Sequence, residues 1–96
     1  MSACVIAFVD VTDPVQYETY KPLASAAIAE HGARIVVRGG AVSVLEGDVA
    51  PGRVVVLEFP SSAAARAFYD SPTYRAAREA RAGAARMTML LVEGPA

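Results

Sequence analysis

The chain has no tryptophan, one cysteine (Cys4) and one histidine (His31). A disulfide framework is therefore excluded, and so is a zinc site built on Cys and His ligands. No apolar run approaches the roughly 18–20 residues that span a bilayer. No basic stretch precedes the first apolar run, so a secretory leader is not expected. The charges nearly cancel, 9 Lys+Arg against 10 Asp+Glu in 96 residues. That balance lacks the basic footprint of a nucleic-acid binder. No P-loop and no G-x-G-x-x-G pattern is present, so no cofactor is expected. What is abundant is apolar: 54% of the residues against 20% charged, too much buried surface for a disordered chain. The expectation is one cytoplasmic domain spanning residues 1–96, with no membrane and no nucleic-acid partner.

Residues 3–9 are an unbroken apolar run and read as a strand. Asp13-Pro14 is an N-cap followed by proline at the first helical position, where no N–H is required. Tyr17, Tyr20, Ala24, Ala27, Ile28 and His31 then share one helical face. Pro22 is expected to kink or split that helix, and Gly32 fits its left-handed C-terminal cap. Residues 34–38 read as a second strand, broken by Gly39-Gly40 and resumed over 41–46; two glycines there suggest a bulge. Residues 47–52 form a loop and 53–59 a third strand, making a hairpin in which Glu46 and Arg53 face each other as an ion pair. Ser61 and Ser71-Pro72 start two short helices. Gly83 ends the second of them, and 87–92 is the last strand.

The order is β-α-β-β-α-β, a ferredoxin-like α+β sandwich. Strands 1, 3 and 4 carry apolar residues on both faces, whereas a half-exposed antiparallel sheet alternates. The second face is expected to meet another copy of the chain, giving a homodimer.

Several residue groups together resemble a family of small bacterial proteins, domain of unknown function 1330, within the dimeric α+β barrel superfamily. They are Asp13-Pro14 with Tyr17 and Tyr20, His31-Gly32, Val37-Arg38-Gly39-Gly40, Leu45-Glu46-Gly47, Glu58-Phe59-Pro60-Ser61, the run from Ala67 to Pro72 with Tyr74, and Val92-Glu93-Gly94. The chain departs from the family pattern at Ala33, where a second glycine is usual, and at Phe68, where tryptophan is common. The resemblance implies a homodimer whose two sheets close into a barrel, and it implies no particular activity.

The candidate site residues each carry two readings. Arg38-Gly39-Gly40 is an anion site or a bulge with an edge arginine. Glu58 interrupts an apolar strand; it is a structural partner of Arg38 or an acid/base in a cleft. His31 is a helix-end histidine or a general base. Cys4 reads as a small hydrophobe rather than a reactive thiol. Tyr17, Tyr20, Tyr69 and Tyr74, all on helices, form a pocket rim or ordinary helix packing, and Tyr74 with Arg81, after the Ser71 helix break, is a pair over a small anion or a packed face with a solvated arginine tip. Arg75, Arg78, Arg81 and Arg86 form a basic stretch or a solvated face. The leading expectation is a small-molecule binder whose ligand, anionic or aromatic, sits between sheet and helices near Arg38, Glu58, Tyr69 and Tyr74. The alternative is an enzyme without a cofactor, oxygenase- or isomerase-like, acting on a small organic acid or lactone, with His31 and Glu58 as catalytic candidates.

Overall fold

The computed structural model describes residues 2–94. Four strands, β1 (Ala3–Val11), β2 (Arg34–Arg38), β3 (Arg53–Phe59) and β4 (Ala85–Glu93), form one antiparallel sheet in the order β2-β3-β1-β4. Three helices, α1 (Pro14–Glu30), α2 (Ser62–Asp70) and α3 (Pro72–Ala80), cover one face. This is the ferredoxin-like β-α-β-β-α-β sandwich, with α2 and α3 together in the place of the second helix. None of the described helices is long and apolar enough to cross a membrane.

The helix starts follow from capping chemistry. Asp13 accepts from the Gln16 N–H at 3.1 Å, and Ser61 accepts from the Ala64 N–H at 3.0 Å. Ser71 serves two helices at once. Its Oγ donates to the Phe68 carbonyl at 2.8 Å, closing α2, and accepts from the Tyr74 N–H at 3.1 Å, opening α3. Gly32 ends the α1 region at φ +64°, a left-handed conformation that only glycine adopts without strain. Pro22 neither splits nor ends α1, which runs unbroken through it. The packing of Tyr17, Ala24 and Ala27 against the sheet outweighs the single helical hydrogen bond that proline removes.

The sheet's two faces are settled by register. Ala3, Val5, Ala7 and Val9 of β1 and Leu57 and Phe59 of β3 are buried beneath the helices. Opposite them, Cys4, Ile6, Phe8, Val54, Val56, Leu90 and Val92 form an open apolar face, where Leu90 and Val92 remain 45% and 47% exposed. No polar alternation separates the two faces, as expected from the sequence.

Two expectations about β2 and its connection are corrected. Residues 41–46 do not resume the strand. Chain pairing ends at Arg38 and Gly39, and β3 begins only at Arg53. The alternating pattern of Val42 and Val44 has no neighbouring strand to pair with, and Leu45 lies 99% exposed. Glu46 and Arg53 therefore do not face each other. The second correction concerns Arg38 and Glu58. A bulge between Ile35 and Val37 shifts the register, so Arg38 pairs with Val55 and lies on the helix face. Glu58 lies on the open face and takes Arg34, opposite it on β2, as its partner at 2.9 Å. A bulge was expected at Gly39-Gly40, bringing Arg38 to Glu58; the one observed, between Ile35 and Val37, puts them on opposite sides of the sheet.

Because Ser71 closes one helix and opens the next, Ser71→Ala is expected to lower stability by about 1–2 kcal/mol, and Ser71→Thr to restore most of it. Urea unfolding at fixed protein concentration measures both.

Candidate functional site

Between α1 and the sheet lies a cavity of about 310 Å³. Its floor is apolar, formed by Val5, Ala7, Val9, Val55, Leu57 and Met89. Its roof carries Tyr17, Tyr20 and Ile28 of α1, with Phe68 and Tyr74 from the other helices. Small side chains at Ala24 and Ser25 leave the space that larger ones would fill. Lys21, Arg38 and Arg53 complete the lining, which contains no carboxylate.

The aromatic roof is cross-linked by hydroxyls. Tyr74 is 1% exposed. Its ring packs against Phe68 at 4.5 Å and stands edge-on to Tyr20 at 6.2 Å between centroids. The Tyr74 and Tyr20 hydroxyls lie 2.8 Å apart, and Tyr74 donates to the Met89 sulfur at 3.5 Å. With its proton on Met89, Tyr74 accepts from Tyr20, so one chain of bonds runs from α1 through α3 to β4. Burial pushes the Tyr20 hydroxyl above its ordinary pKa of 10.0, and the neighbouring Tyr74 adds to the shift. Tyr17 is raised too, chiefly by burial, with Arg53 working in the opposite direction. These hydroxyls stay protonated and act as donors or neutral acceptors.

A second cavity, about 450 Å³, opens where α2 and the start of β4 diverge. Arg66, Tyr69, Asp70 and Arg81 line it above Met87, Met89 and Leu91. The Arg78 guanidinium lies 4.2 Å from the centre of the Tyr69 ring and donates to the Tyr69 carbonyl at 3.3 Å. Arg81 is 5.6 Å from the Tyr20 ring. The basic stretch is thus partly folded onto tyrosine faces.

The residues singled out from the sequence fall into three groups. Arg38 and Tyr74 line the first cavity, Tyr69 and Arg81 the second. Gly39 and Gly40 stand at the stem of the 39–52 loop, outside both linings. Glu58, Ser71 and His31 are elsewhere. Glu58 is on the open face with Arg34. The Ser71 hydroxyl is occupied in capping, so the Tyr74 N–H at the helix break is not free for an anion. The His31 Nδ1 bonds the Ala27 carbonyl at 2.9 Å, one turn back along its own helix, and the ring stands edge-on to Phe68. Neither catalytic candidate, His31 or Glu58, belongs to either of these two linings.

Arg53 was not recognised from the sequence as a site residue, although strand parity contains the signal. Odd-numbered positions of β3 face the helices, and Arg53 shares that face with Val55, Leu57 and Phe59. Tyr17 and Tyr20, expected with Tyr69 and Tyr74 to rim a pocket, line the first cavity, and Lys21 is a lining residue that the sequence did not mark. Among the described residues, no group of three His, Cys, Asp or Glu side chains stands close enough to hold a metal ion.

The hydroxyl chain makes a measurable prediction. Tyr74→Phe leaves Tyr20 without its acceptor and is expected to cost about 1–3 kcal/mol. Tyr20→Phe should cost less, and the double variant less than the sum of the two. The sign with pH is also fixed. The folded pKa of Tyr20 lies above the unfolded value, so the stability gained by keeping it neutral is intact below pH 10 and declines as pH rises beyond that. Tyr20→Phe should flatten the alkaline decline in a stability–pH profile.

Solved structures share this fold. A protein of unknown function from Rhodopseudomonas palustris superposes with a TM-score of 0.75 at 21% identity, over 99% of this chain and 83% of that one. SnoaB, a cofactor-independent oxygenase from Streptomyces nogalater, gives 0.67 at 14% identity, over 99% and 94%. A dimeric protein of unknown function and ferredoxin-like fold from Bacteroides fragilis gives 0.63 at 15% identity, over 97% and 96%. Among curated proteins, none matches the sequence. The family model described as Domain of unknown function (DUF1330) matches residues 2–95, and the chain belongs to that family.

Proposed function

We propose that the protein binds a small organic anion with an aromatic or otherwise apolar body in the cavity between α1 and the sheet. The observation that carries this reading is the lining itself: three cations, Lys21, Arg38 and Arg53, above an apolar floor, with no carboxylate among the described lining residues. Lys21 has Glu18 within 3.2 Å at the surface. Arg38 and Arg53 have no ion-pair partner among the described residues. An anion at the mouth would supply one, by charge-assisted hydrogen bonds that arginine makes well. The tyrosine roof suits a flat apolar body, because its rings offer apolar area and its hydroxyls fix orientation.

The rival reading is a cofactor-independent enzyme, which SnoaB's description brings to mind. Proton abstraction from a substrate requires a base poised near neutral pH. The lining offers tyrosines whose burial opposes ionisation, and neither His31 nor Glu58 belongs to it. Binding is the reading these groups support better.

We further propose that the working unit is a homodimer joined through the open face of the sheet. Support comes from the apolar residues of that face and from the dimeric Bacteroides fragilis protein of the same fold. Such an interface should be of obligate character, burying about 2,000 Å² or more.

Two experiments test these readings. In thermal unfolding, 4-hydroxybenzoate should stabilise the native protein, by about 2.7 kcal/mol at a hundredfold excess over its dissociation constant. The neutral 4-hydroxybenzamide should stabilise it far less, and Arg53→Ala should remove the effect. Equal shifts from acid and amide would contradict the anion site. Sedimentation equilibrium at micromolar concentration should show twice the chain mass; a monomer would contradict the dimer.

A further inference from the structure

Arg38 and Arg53 are the two stems of the 39–52 loop, and Gly39 stands between them in space. It has φ +67°, and its N–H donates to the Val54 carbonyl at 2.9 Å, adding one more rung to the β2–β3 ladder. The Arg53 side chain lies directly over this glycine. A Cβ at position 39 would fall 2.4 Å from Arg53 Nε, 2.9 Å from Cζ and 3.1 Å from Cγ. The Nε itself is shielded from solvent and has no hydrogen-bond acceptor among the described residues. Arg78 and Arg81 have a shielded Nε too, but Arg53 is the one whose guanidinium rests on the bare backbone of a glycine. The neighbouring glycines differ: Gly40 has nothing within 4 Å of a built Cβ, and a Cβ at Gly52 would meet Asp10 Oδ1 at 3.0 Å rather than Arg53.

Resting on the anion-binding reading above, we infer that Gly39 is a specificity-determining position, whose missing side chain seats the Arg53 guanidinium at the mouth of the cavity. Gly39 acts through Arg53 and is a positioning residue. The seat does two things. It fixes the plane of the guanidinium by stacking its Nε edge on bare backbone, and it removes one of the donors from competition. The remaining nitrogens are the ones left to meet a ligand, in a fixed fork that suits a carboxylate. Any side chain at position 39 would push the guanidinium off the glycine, where its terminal nitrogens could no longer share a ligand with Arg38. The cavity would keep its apolar walls and its size while losing its preference for an anion.

The test separates this seat from ordinary backbone strain. Gly32 also has a positive φ, +64°, but nothing stands within 4 Å of a built Cβ. Gly32→Ala therefore carries the strain of an L residue in left-handed backbone without the collision. In wild-type protein, the Arg53 Nε–H should give a resolved, slowly exchanging resonance in a ¹H–¹⁵N spectrum. Gly39→Ala should abolish it, and Gly32→Ala should leave it in place. Affinity for 4-hydroxybenzoate should fall about tenfold or more in Gly39→Ala, the worth of one hydrogen bond to a charged group, and stay within about twofold in Gly32→Ala. If Gly39→Ala folds poorly, the double variant Gly39→Ala/Arg53→Ala should recover, because the colliding side chain is gone, to the stability of Arg53→Ala carrying strain like that of Gly32→Ala. An unchanged Nε–H resonance in Gly39→Ala, or a double variant no more stable than Gly39→Ala alone, overturns the seat. Wild-type protein that keeps the resonance but shows no preference for the acid over the amide overturns the anion reading instead, and with it the specificity role.

Discussion

A hydroxyl buried away from water must find a partner, and that constraint at Tyr74 organises the interior of this protein. Tyr74 sits in the first turn of α3, its N–H bound to the Ser71 cap and its ring against Phe68. From there its hydroxyl meets Tyr20 on α1 and Met89 on β4. One side chain thus ties both helical regions to the sheet. The alternative, an unpaired hydroxyl in the same place, would cost about 1–3 kcal/mol, a sizeable part of a small domain's stability. The bond also holds the tyrosines upright as a wall. With Ala24 and Ser25 beside them, α1 leaves a cavity where a bulkier helix face would close on the sheet.

The second determinant is a single extra residue in β2. Strand side chains alternate faces, so one bulged residue inverts the assignment of everything beyond it. Without the bulge, Arg38 would share the open face with Arg34 and Glu58. With it, Arg38 turns to the helix face and joins Arg53, which reaches that face by the ordinary parity of β3. Charge is thereby sorted across the sheet. The acid–base pair Glu58–Arg34 stays on one side, and cations without acids gather on the other.

The parts of this arrangement that could be read from sequence are those set by local chemistry. Asp13-Pro14, Ser61, Ser71-Pro72 and Gly32 each mark a boundary through a cap or a backbone conformation, and each stands where the spacing put it. The two-sided apolar strands were equally legible. What escaped is what depends on pairing between distant segments. Val42 and Val44 alternate like strand residues, but a strand also needs a neighbour, and none is offered by the chain's own sheet. The glycines after Arg38 did suggest a bulge, yet it lies before Arg38, between Ile35 and Val37, and that position decides which face Arg38 takes; composition carries no such information. His31 and Glu58 attracted notice by chemical type; their partners, a carbonyl one turn away and an arginine across the ladder, are structural. Arg53 drew notice only as a hairpin ion-pair partner of Glu46, because an arginine beside a loop is commonplace until the opposite wall of tyrosines is in view.

The central claim is that the cations facing the helices from the sheet, Arg38 and Arg53, rather than the basic stretch from Arg75 to Arg86, receive an anion. It is tested most directly by locating 4-hydroxybenzoate in a crystal of the complex. The account predicts the carboxylate within hydrogen-bond distance of Arg53 or Arg38 and the ring beneath Tyr17 and Tyr20. A carboxylate held instead by Arg75, Arg78 or Arg86, with the cavity above Val55 and Leu57 empty of ligand, would contradict it.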